Sequence, residues 1–248
     1  MRVDPARREH RTSTAVTEEI DVTILLPCRN EERTVAICVT DALTWIAGRG
    51  LVGEVLVVDN ASTDRSATAA RIAGARVISE PRVGYGRALR SGAVNARGRV
   101  VIFADADNTY GLGDLDAFYD PIATERSCDV VIGNRLGTAR VHGAMSLMHL
   151  WGNRGLSALT RAAIGTSVTD VHCGLRSTTP SAMLAVSPHS TGMEYATEMI
   201  IQAHRTGLRI GEHPVVLGPV ATGRRSHLRP FRDGVRHLRR ITRHAIWR

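Results

Sequence analysis

The sequence contains no lysine, so all 32 of its Lys+Arg residues are arginine. Arginine is the default cation of this chain, and no single one can be read as selected over lysine for its fork geometry. Aromatic residues make up only 4% of the sequence, too few to build stacking platforms, which argues against a nucleic-acid partner despite a net charge of +8. No apolar run reaches the ~18 residues that a membrane-spanning helix needs, and the first twenty residues lack the apolar core of a signal peptide. A cytoplasmic protein is expected. The four cysteines (28, 38, 128 and 173) are scattered, without a C-x-x-C pair. Their spacing speaks against a structural zinc site and a disulfide framework, and Cys28 and Cys38 are expected in the core.

What is present is unevenly placed. Residues 223–248 hold nine arginines against Asp233 alone, so this segment carries the whole net charge. It reads as a basic, helical C-terminal segment, suited to a phosphorylated substrate or an anionic membrane surface. Residues 1–19 are polar and aperiodic, the pattern of a flexible arm. Between them, β-branched runs at 22–26, 55–58, 76–78, 100–103 and 130–132 alternate with helical patterns near 31–47, 64–73, 86–97 and 114–126. This alternation predicts α/β architecture, a Rossmann-like single domain with a mostly parallel central sheet flanked by helices. Beyond 140 the rhythm changes to helices near 145–163 and 193–206, a loop at 170–174 and short strands near 209–221. The domain is therefore expected over 20–222, with a first half at about 20–135 and an elaborated second half at about 136–222.

The run 100–104 is followed directly by Asp105-Ala106-Asp107. Two carboxylates at the carboxyl end of a buried strand stand where open α/β sheets bind ligands, and they offer oxygen donors to Mg²⁺ or Mn²⁺. A metal there could grip a substrate's phosphates, although an isolated D-x-D more often marks a solvated strand end. The first strand runs into Pro27-Cys28-Arg29-Asn30-Glu31-Glu32 and the second into Val58-Asp59-Asn60-Ala61-Ser62-Thr63-Asp64. Asp64 reads as a helix-capping residue, whereas Asp59 stands at a strand end, where it could accept a hydrogen bond from a nucleobase. Gly84-Tyr85-Gly86-Arg87-Ala88-Leu89 fails as a dinucleotide fingerprint because Leu89 occupies the third glycine position. It reads instead as a glycine-relaxed helix start carrying Arg87 near a phosphate.

This series resembles the family 2 glycosyltransferases of the GT-A fold. The resemblance continues through Ile132-Gly133-Asn134-Arg135, Asp170-Val171-His172-Cys173-Gly174-Leu175-Arg176, Gly192-Met193-Glu194-Tyr195-Ala196-Thr197-Glu198 and Ser226-His227-Leu228-Arg229-Pro230-Phe231-Arg232-Asp233-Gly234. These are similar to the polyprenyl- or dolichyl-phosphate sugar transferases, and the match covers roughly residues 20–240. The resemblance implies metal-dependent, inverting transfer of a sugar from a nucleoside diphosphate sugar, with UDP favoured, to a polyprenyl phosphate or related acceptor. It implies that Asp59 meets the nucleobase, that Pro27, Arg29, Asn30 and Glu31 line that pocket, and that Asp105-Ala106-Asp107 lies on the ribose side, with Asp105 and Asp107 on the metal. Arg135, Arg176 and Arg224 match arginines of the family pattern and are candidate clamps on the diphosphate.

A hydroxyl acceptor needs a general base, for which Asp170, His172 and Glu194 are the candidates; a phosphate acceptor needs none. Two departures from the family pattern stand out. The position after Tyr110 is Gly111, where relatives carry an acid, and the basic segment ends at Trp247-Arg248 instead of continuing into membrane helices. That segment is expected to lie on the membrane as a peripheral amphipathic helix, with Ile241, Ile246 and Trp247 as its apolar contacts. Three alternatives remain open on these residues: a soluble enzyme with a natural-product or nucleoside acceptor, a haloacid-dehalogenase-like phosphatase using Asp105-Ala106-Asp107-Asn108-Thr109, and a non-catalytic nucleotide-sugar adaptor.

Overall fold

A computed structural model of the chain describes residues 19–136, 147–218 and 230–246. Almost all of the expected N-terminal arm lies outside these residues, as do Arg224 and Trp247. The described chain forms a sheet of seven strands in the order β3-β2-β1-β4-β6-β5-β7. In chain order the strands are β1 (Val22–Cys28), β2 (Gly53–Asp59), β3 (Arg76–Ser79), β4 (Val100–Phe103), β5 (Val130–Asn134), β6 (Arg176–Thr178) and β7 (Ile210–Pro214). The helices are α1 (Val35–Gly48), α2 (Ser66–Ile72), α3 (Tyr85–Asn95), α4 (Asp116–Ala123), α5 (Leu147–Ile164), α6 (Pro180–Val186), α7 (Tyr195–Arg205) and α8 (Pro230–Ile246).

The central strands read as unbroken apolar runs because both sheet faces are covered. Along β1, Ile24 and Leu26 join one core cluster with Val57, Ile102, Trp45 and Phe118. Leu25 points the other way, into a cluster with Leu56, Val101, Phe103, Leu89, Tyr195 and Met199. Each such side chain contributes about 1.5–3 kcal/mol of burial free energy. Cys28 and Cys38 lie in the first cluster, as expected, where burial pushes both thiols up to about 12.

Strand order places the ligand edge. β1 pairs in parallel with β2 on one side and β4 on the other, so the chain reverses its direction of winding between β1 and β4. The crevice beyond the carboxyl ends of strands at such a reversal is where ligands bind. β6 runs antiparallel to both β4 and β5, with Arg176 opposite Phe103 and Ile132. An antiparallel strand receives its preceding loop at the end where its neighbours finish, so residues 170–175 are delivered to the same edge as Asp105 and Arg135.

β6 and α6 differ from the sequence expectation, which placed neither. The buried residues of β6 are Arg176, Ser177 and Thr178, so no apolar signal marks it. Ser177 Oγ instead donates to the Phe118 carbonyl (2.6 Å) and Thr178 Oγ1 to that of Asp129 (3.0 Å). α6 is only seven residues long, started by Pro180 and capped by Thr179, whose Oγ1 accepts from the Ala182 N–H (3.1 Å). α1 starts at Val35, four residues later than its pattern suggested, because residues 31–34 are held in a turn by the neighbouring loop.

Candidate active site

Cys28 and Asp59 are opposite one another at the ends of β1 and β2, and the loops that follow are tied together. Asn30, in the left-handed region at φ 55°, accepts on Oδ1 from the Thr63 N–H (2.8 Å) and donates its own N–H to Ser62 Oγ (3.1 Å). The Glu31 N–H donates to Ser66 Oγ (2.8 Å) and the Glu32 N–H to Asp64 (3.2 Å). Asp64 also accepts from the Ser66 N–H (2.9 Å) at the start of α2. Asp59 Oδ1 accepts from the Ser62 N–H (3.3 Å). Buried Asn60 clamps the third loop, donating to the carbonyls of Glu80 and Arg82 and accepting from the Gly84 N–H (2.7 Å). Pro27, Arg29, Asn30, Glu31 and Asp59 are thereby gathered on one rim, and Arg87 is half-buried in the first turn of α3 beside it.

The two acids after β4 are held differently. Asp107 is buried, and its Oδ1 accepts from the N–H (3.0 Å) and Oγ1 (2.6 Å) of Thr109, which fixes the turn. The Ala106 carbonyl accepts from Thr34 Oγ1 (2.8 Å). Asp105 Oδ1 accepts from the Tyr85 hydroxyl (3.1 Å), a phenol that burial and the Asp105 charge keep well above its ordinary pKa and hence a donor. Gly174 packs against the other oxygen: a Cβ there would lie 2.4 Å from Asp105 Oδ2. The Gly174 N–H donates to the Tyr110 hydroxyl (3.0 Å), so the 170–174 loop presses directly on the D-x-D turn. Among the described residues no group of three His, Cys, Asp or Glu could hold a metal ion. Two carboxylates suit an ion that completes its shell with diphosphate oxygens and water, the usual arrangement for Mg²⁺.

Across the edge, Arg135 and Asp170 form a fork. Arg135 Nε and Nη2 donate to Asp170 Oδ2 (2.7 Å) and Oδ1 (2.9 Å), and the Arg135 N–H adds a third bond to Oδ2 (3.0 Å). The His172 N–H supplies a fourth (3.3 Å). Asp170 is 0% exposed. Burial alone would raise its carboxyl, but the Arg135 bonds outweigh it and hold the pKa below the ordinary range. A carboxylate so fully engaged is a poor general base, and it orients the guanidinium instead. Arg135 keeps Nη1 without a hydrogen bond among the described residues.

The remaining candidates sit on different supports. Arg176 is 4% exposed, and its guanidinium donates to the carbonyls of Cys173 (2.7 Å), Ala196 (2.9 Å) and Val171 (2.9 Å). It braces the 170–174 loop against α7 and could reach a phosphate only by leaving those carbonyls unpaired. His172 is half-buried and bonded on both ring nitrogens, to Ser157 of α5 (3.3 Å) and Thr197 of α7 (3.0 Å). Thr197 Oγ1 in turn meets His237 Nδ1 of α8 (2.6 Å). Burial and the neighbouring His237 hold His172 well below its ordinary pKa, so it is neutral and structural. Glu194 Oε1 accepts from Arg236 Nη2 (2.8 Å) and the Gly192 N–H (3.3 Å), while its buried Oε2 has no hydrogen-bond partner among the described residues. Glu198 repeats the pattern one turn on, with Arg240 (3.3 Å). Sequence reasoning missed Tyr85, Gly174, Thr197 and His237 as supports; the first three stood inside motifs without any sign of their role, and His237 stood in none.

α8 corrects one expectation. Ile241 is 1% exposed, inside the protein, because α8 turns Asp233, His237 and Ile241 inward. Its outer face carries Arg232, Val235, Leu238, Arg239, Thr242 and Arg243.

A sheet edge with this winding reversal, an acid at the end of β2 and a D-x-D after β4 fits the glycosyl transferase family whose profile the chain matches. The chain belongs to glycosyl transferase family 2, whose profile matches residues 23–183. Among its relatives is the low-salt glycan biosynthesis hexosyltransferase Agl6 of Haloferax volcanii, 32% identical over 219 residues; the match covers 88% of this chain and 52% of Agl6, so the chain spans about half of that protein. The dolichyl-phosphate hexose transferase of the same organism is 29% identical over 196 residues, covering 79% of this chain and 82% of the relative. Glucosyl-3-phosphoglycerate synthase from Mycobacterium tuberculosis, solved with Mn²⁺, UDP-glucose and phosphoglyceric acid, shares the fold. It superposes with a TM-score of 0.68 at 23% identity, covering 91% of this chain and 80% of that one.

Proposed function

We propose that this protein is an inverting, metal-dependent hexosyltransferase that moves a sugar from a UDP-linked donor to a polyprenyl phosphate. The observation that carries the reading is the gathering of Asp59, Asp105 and Asp107 at the sheet edge to which the end of β5 and the loop before β6 also deliver the Arg135–Asp170 fork. Asp59 and the rim of Pro27, Arg29, Asn30 and Glu31 take the nucleobase. Asp105 and Asp107 hold the divalent ion, which when bound draws off the negative charge that grows on the departing diphosphate. Arg135, held rigid by Asp170, presents Nη1 to the same charge, and Arg87 adds a second cation at a helix start.

In the transfer, an acceptor phosphate oxygen forms a bond to the anomeric carbon as the bond from that carbon to the diphosphate breaks. The leaving electron pair stays on the diphosphate and no proton has to be removed. The engagement of Asp170 and His172 by donors and partners within the protein supports an acceptor that arrives already ionised. Glu194 is the remaining candidate base, for a hydroxyl acceptor. Relatives named for dolichyl phosphate and for phosphoglycerate both have acceptors that carry phosphate, and a small phosphorylated acceptor is the second reading. Family membership displaces the phosphatase alternative, and the transfer assay below separates an enzyme from a non-catalytic adaptor.

The same reading places the protein in the cytoplasm, at the inner face of the membrane. No helix among the described residues is long and apolar enough to cross a membrane. Contact falls instead to the outer face of α8, where Val235 and Leu238 are 47% and 43% exposed beside Arg232, Arg239 and Arg243. The inner arginines, Arg236 and Arg240, are paired with Glu194 and Glu198. The test is radiolabelled transfer from UDP-glucose, UDP-N-acetylglucosamine and GDP-mannose to polyprenyl phosphate and to 3-phosphoglycerate. Labelled lipid from a UDP-sugar supports the proposal. Labelled phosphoglycerate moves the acceptor to the second reading, and no transfer from any donor overturns it.

A further inference from the structure

We infer that Glu212 is a positioning residue for transfer, acting through Asp170 on Arg135. Glu212 lies in β7, level with Ile132 of β5, 42 residues from the loop it holds. Its Oε1 accepts from two successive backbone donors, the N–H of Thr169 (2.9 Å) and the N–H of Asp170 (2.8 Å). Its Oε2 accepts from Thr169 Oγ1 (2.7 Å), and that hydroxyl accepts from Asn134 Nδ2 (2.7 Å). One carboxylate thus fixes the backbone on which Asp170 stands and ties it to the residue before Arg135.

The arrangement is a relay of charge-assisted bonds. Hydrogen bonds from neutral donors to a carboxylate are about twice as strong as neutral pairs, and two convergent N–H groups define a direction as well as a distance. Asp170 is buried and already spends both oxygens on Arg135 and His172. It cannot correct its own position when its backbone drifts. Where Asp170 sits is set by Glu212, and where Arg135 Nη1 points is set by Asp170. Loss of Glu212 also leaves two N–H groups and a hydroxyl seeking partners, which favours rotation of the loop away from its present register. A shift of ~1 Å in a positioning group costs on the order of 10²-fold in rate.

This inference rests on the reading that Arg135 meets the diphosphate, and the test separates the two. Its first arm needs no substrate. Side-chain ¹⁵N NMR, with the Arg135 Nε–H assigned by its absence in Arg135→Gln, follows solvent exchange of that proton. Wild type and Glu212→Gln, whose amide oxygen can accept from both N–H groups, should exchange slowly; Glu212→Ala should exchange at least ~10-fold faster, one decade per 1.4 kcal/mol of lost protection. Thr169→Val, which removes only the hydroxyl bridge, should fall between them and serves if Glu212→Ala does not fold. The second arm measures nucleotide release from UDP-glucose and GDP-mannose with Mn²⁺ and polyprenyl phosphate. There Glu212→Ala should lower kcat about 10²-fold with little change in donor KM, Glu212→Gln should recover most of it, and Glu212→Ala should add nothing in an Arg135→Gln background. Unchanged exchange in Glu212→Ala and Thr169→Val overturns the inference, as does an Arg135→Gln enzyme that is inactive beside a Glu212→Ala enzyme that is not. Full activity of Arg135→Gln overturns the diphosphate reading, and the exchange arm then decides the role of Glu212 alone.

Discussion

The two halves of the site are held in contrasting ways. On the proposed nucleotide side, Asp59, Asp105 and Asp107 stand at the ends of parallel strands; Asp59 and Asp107 have supports near in sequence, Ser62 and Thr109, and Asp105 takes its hydrogen bond from Tyr85 at the start of α3. On the proposed acceptor side, Asp170 is held by Arg135 and Glu212, His172 by Ser157 and Thr197, and Glu194 by Arg236. These partners come from four elements, β7, α5, α7 and α8, and from the turn after β5. A site built on strand ends inherits its geometry from the sheet, whereas a site built on a loop must be triangulated from a distance.

Substitutions sharpen that contrast, beginning where the halves touch. Gly174→Ala would put a methyl 2.4 Å from Asp105 Oδ2 and 3.2 Å from the Tyr110 hydroxyl. Overpacking of this kind costs about 1–3 kcal/mol, and moving Asp105 by ~1 Å is expected to lower turnover about 10²-fold. Steady-state kinetics with urea unfolding checks both figures. Arg176→Met is next. It leaves three buried carbonyls unpaired, at about 1–3 kcal/mol each before relaxation, so a loss of about 3–5 kcal/mol is expected in urea unfolding, the range for breaking buried charged networks.

The third prediction concerns pH and falls on the acceptor side alone. Burial, opposed by Glu194 and Asp233, lowers His237 from 6.5 to about 4. Below pH ~6.5 the unfolded chain takes up a proton that the folded chain refuses, so stability falls as pH drops, by about 1.4 kcal/mol per unit, until His237 itself titrates near pH 4. His237→Gln should flatten that slope in unfolding curves taken between pH 6.5 and 4. The smallest effect is expected for Val235→Ser with Leu238→Ser on the outer face of α8. Stability should change by less than ~0.5 kcal/mol per site, while flotation with vesicles containing phosphatidylglycerol should be lost.

The contrast also explains what could be read in advance. Strand periodicity located β1 to β5, and the placement of acids after apolar runs located Asp59 and the D-x-D, because in a buried parallel sheet burial and sequence pattern coincide. β6 was invisible because its buried residues are Arg176, Ser177 and Thr178, polar groups paid for by hydrogen bonds that only the fold supplies. Arg135, Asp170 and Arg176 were legible as residues but not as roles. Whether an arginine clamps a substrate or braces a loop depends on which carbonyls and carboxylates surround it. Ile241 was misjudged for a related reason: α8 has apolar residues on both sides, and only its packing on α5 and α7 shows which face is inward.

The central claim is that Asp105 and Asp107 form a metal-assisted site for a nucleoside diphosphate. Calorimetric titration with UDP, and with GDP, dTDP and CDP in parallel, each with and without Mn²⁺, tests it against Asp107→Ala. The account predicts UDP binding that requires Mn²⁺ and disappears in the variant while its melting temperature stays near that of wild type. Metal-independent binding untouched by Asp107→Ala, or no binding of any nucleotide by folded protein, would contradict it.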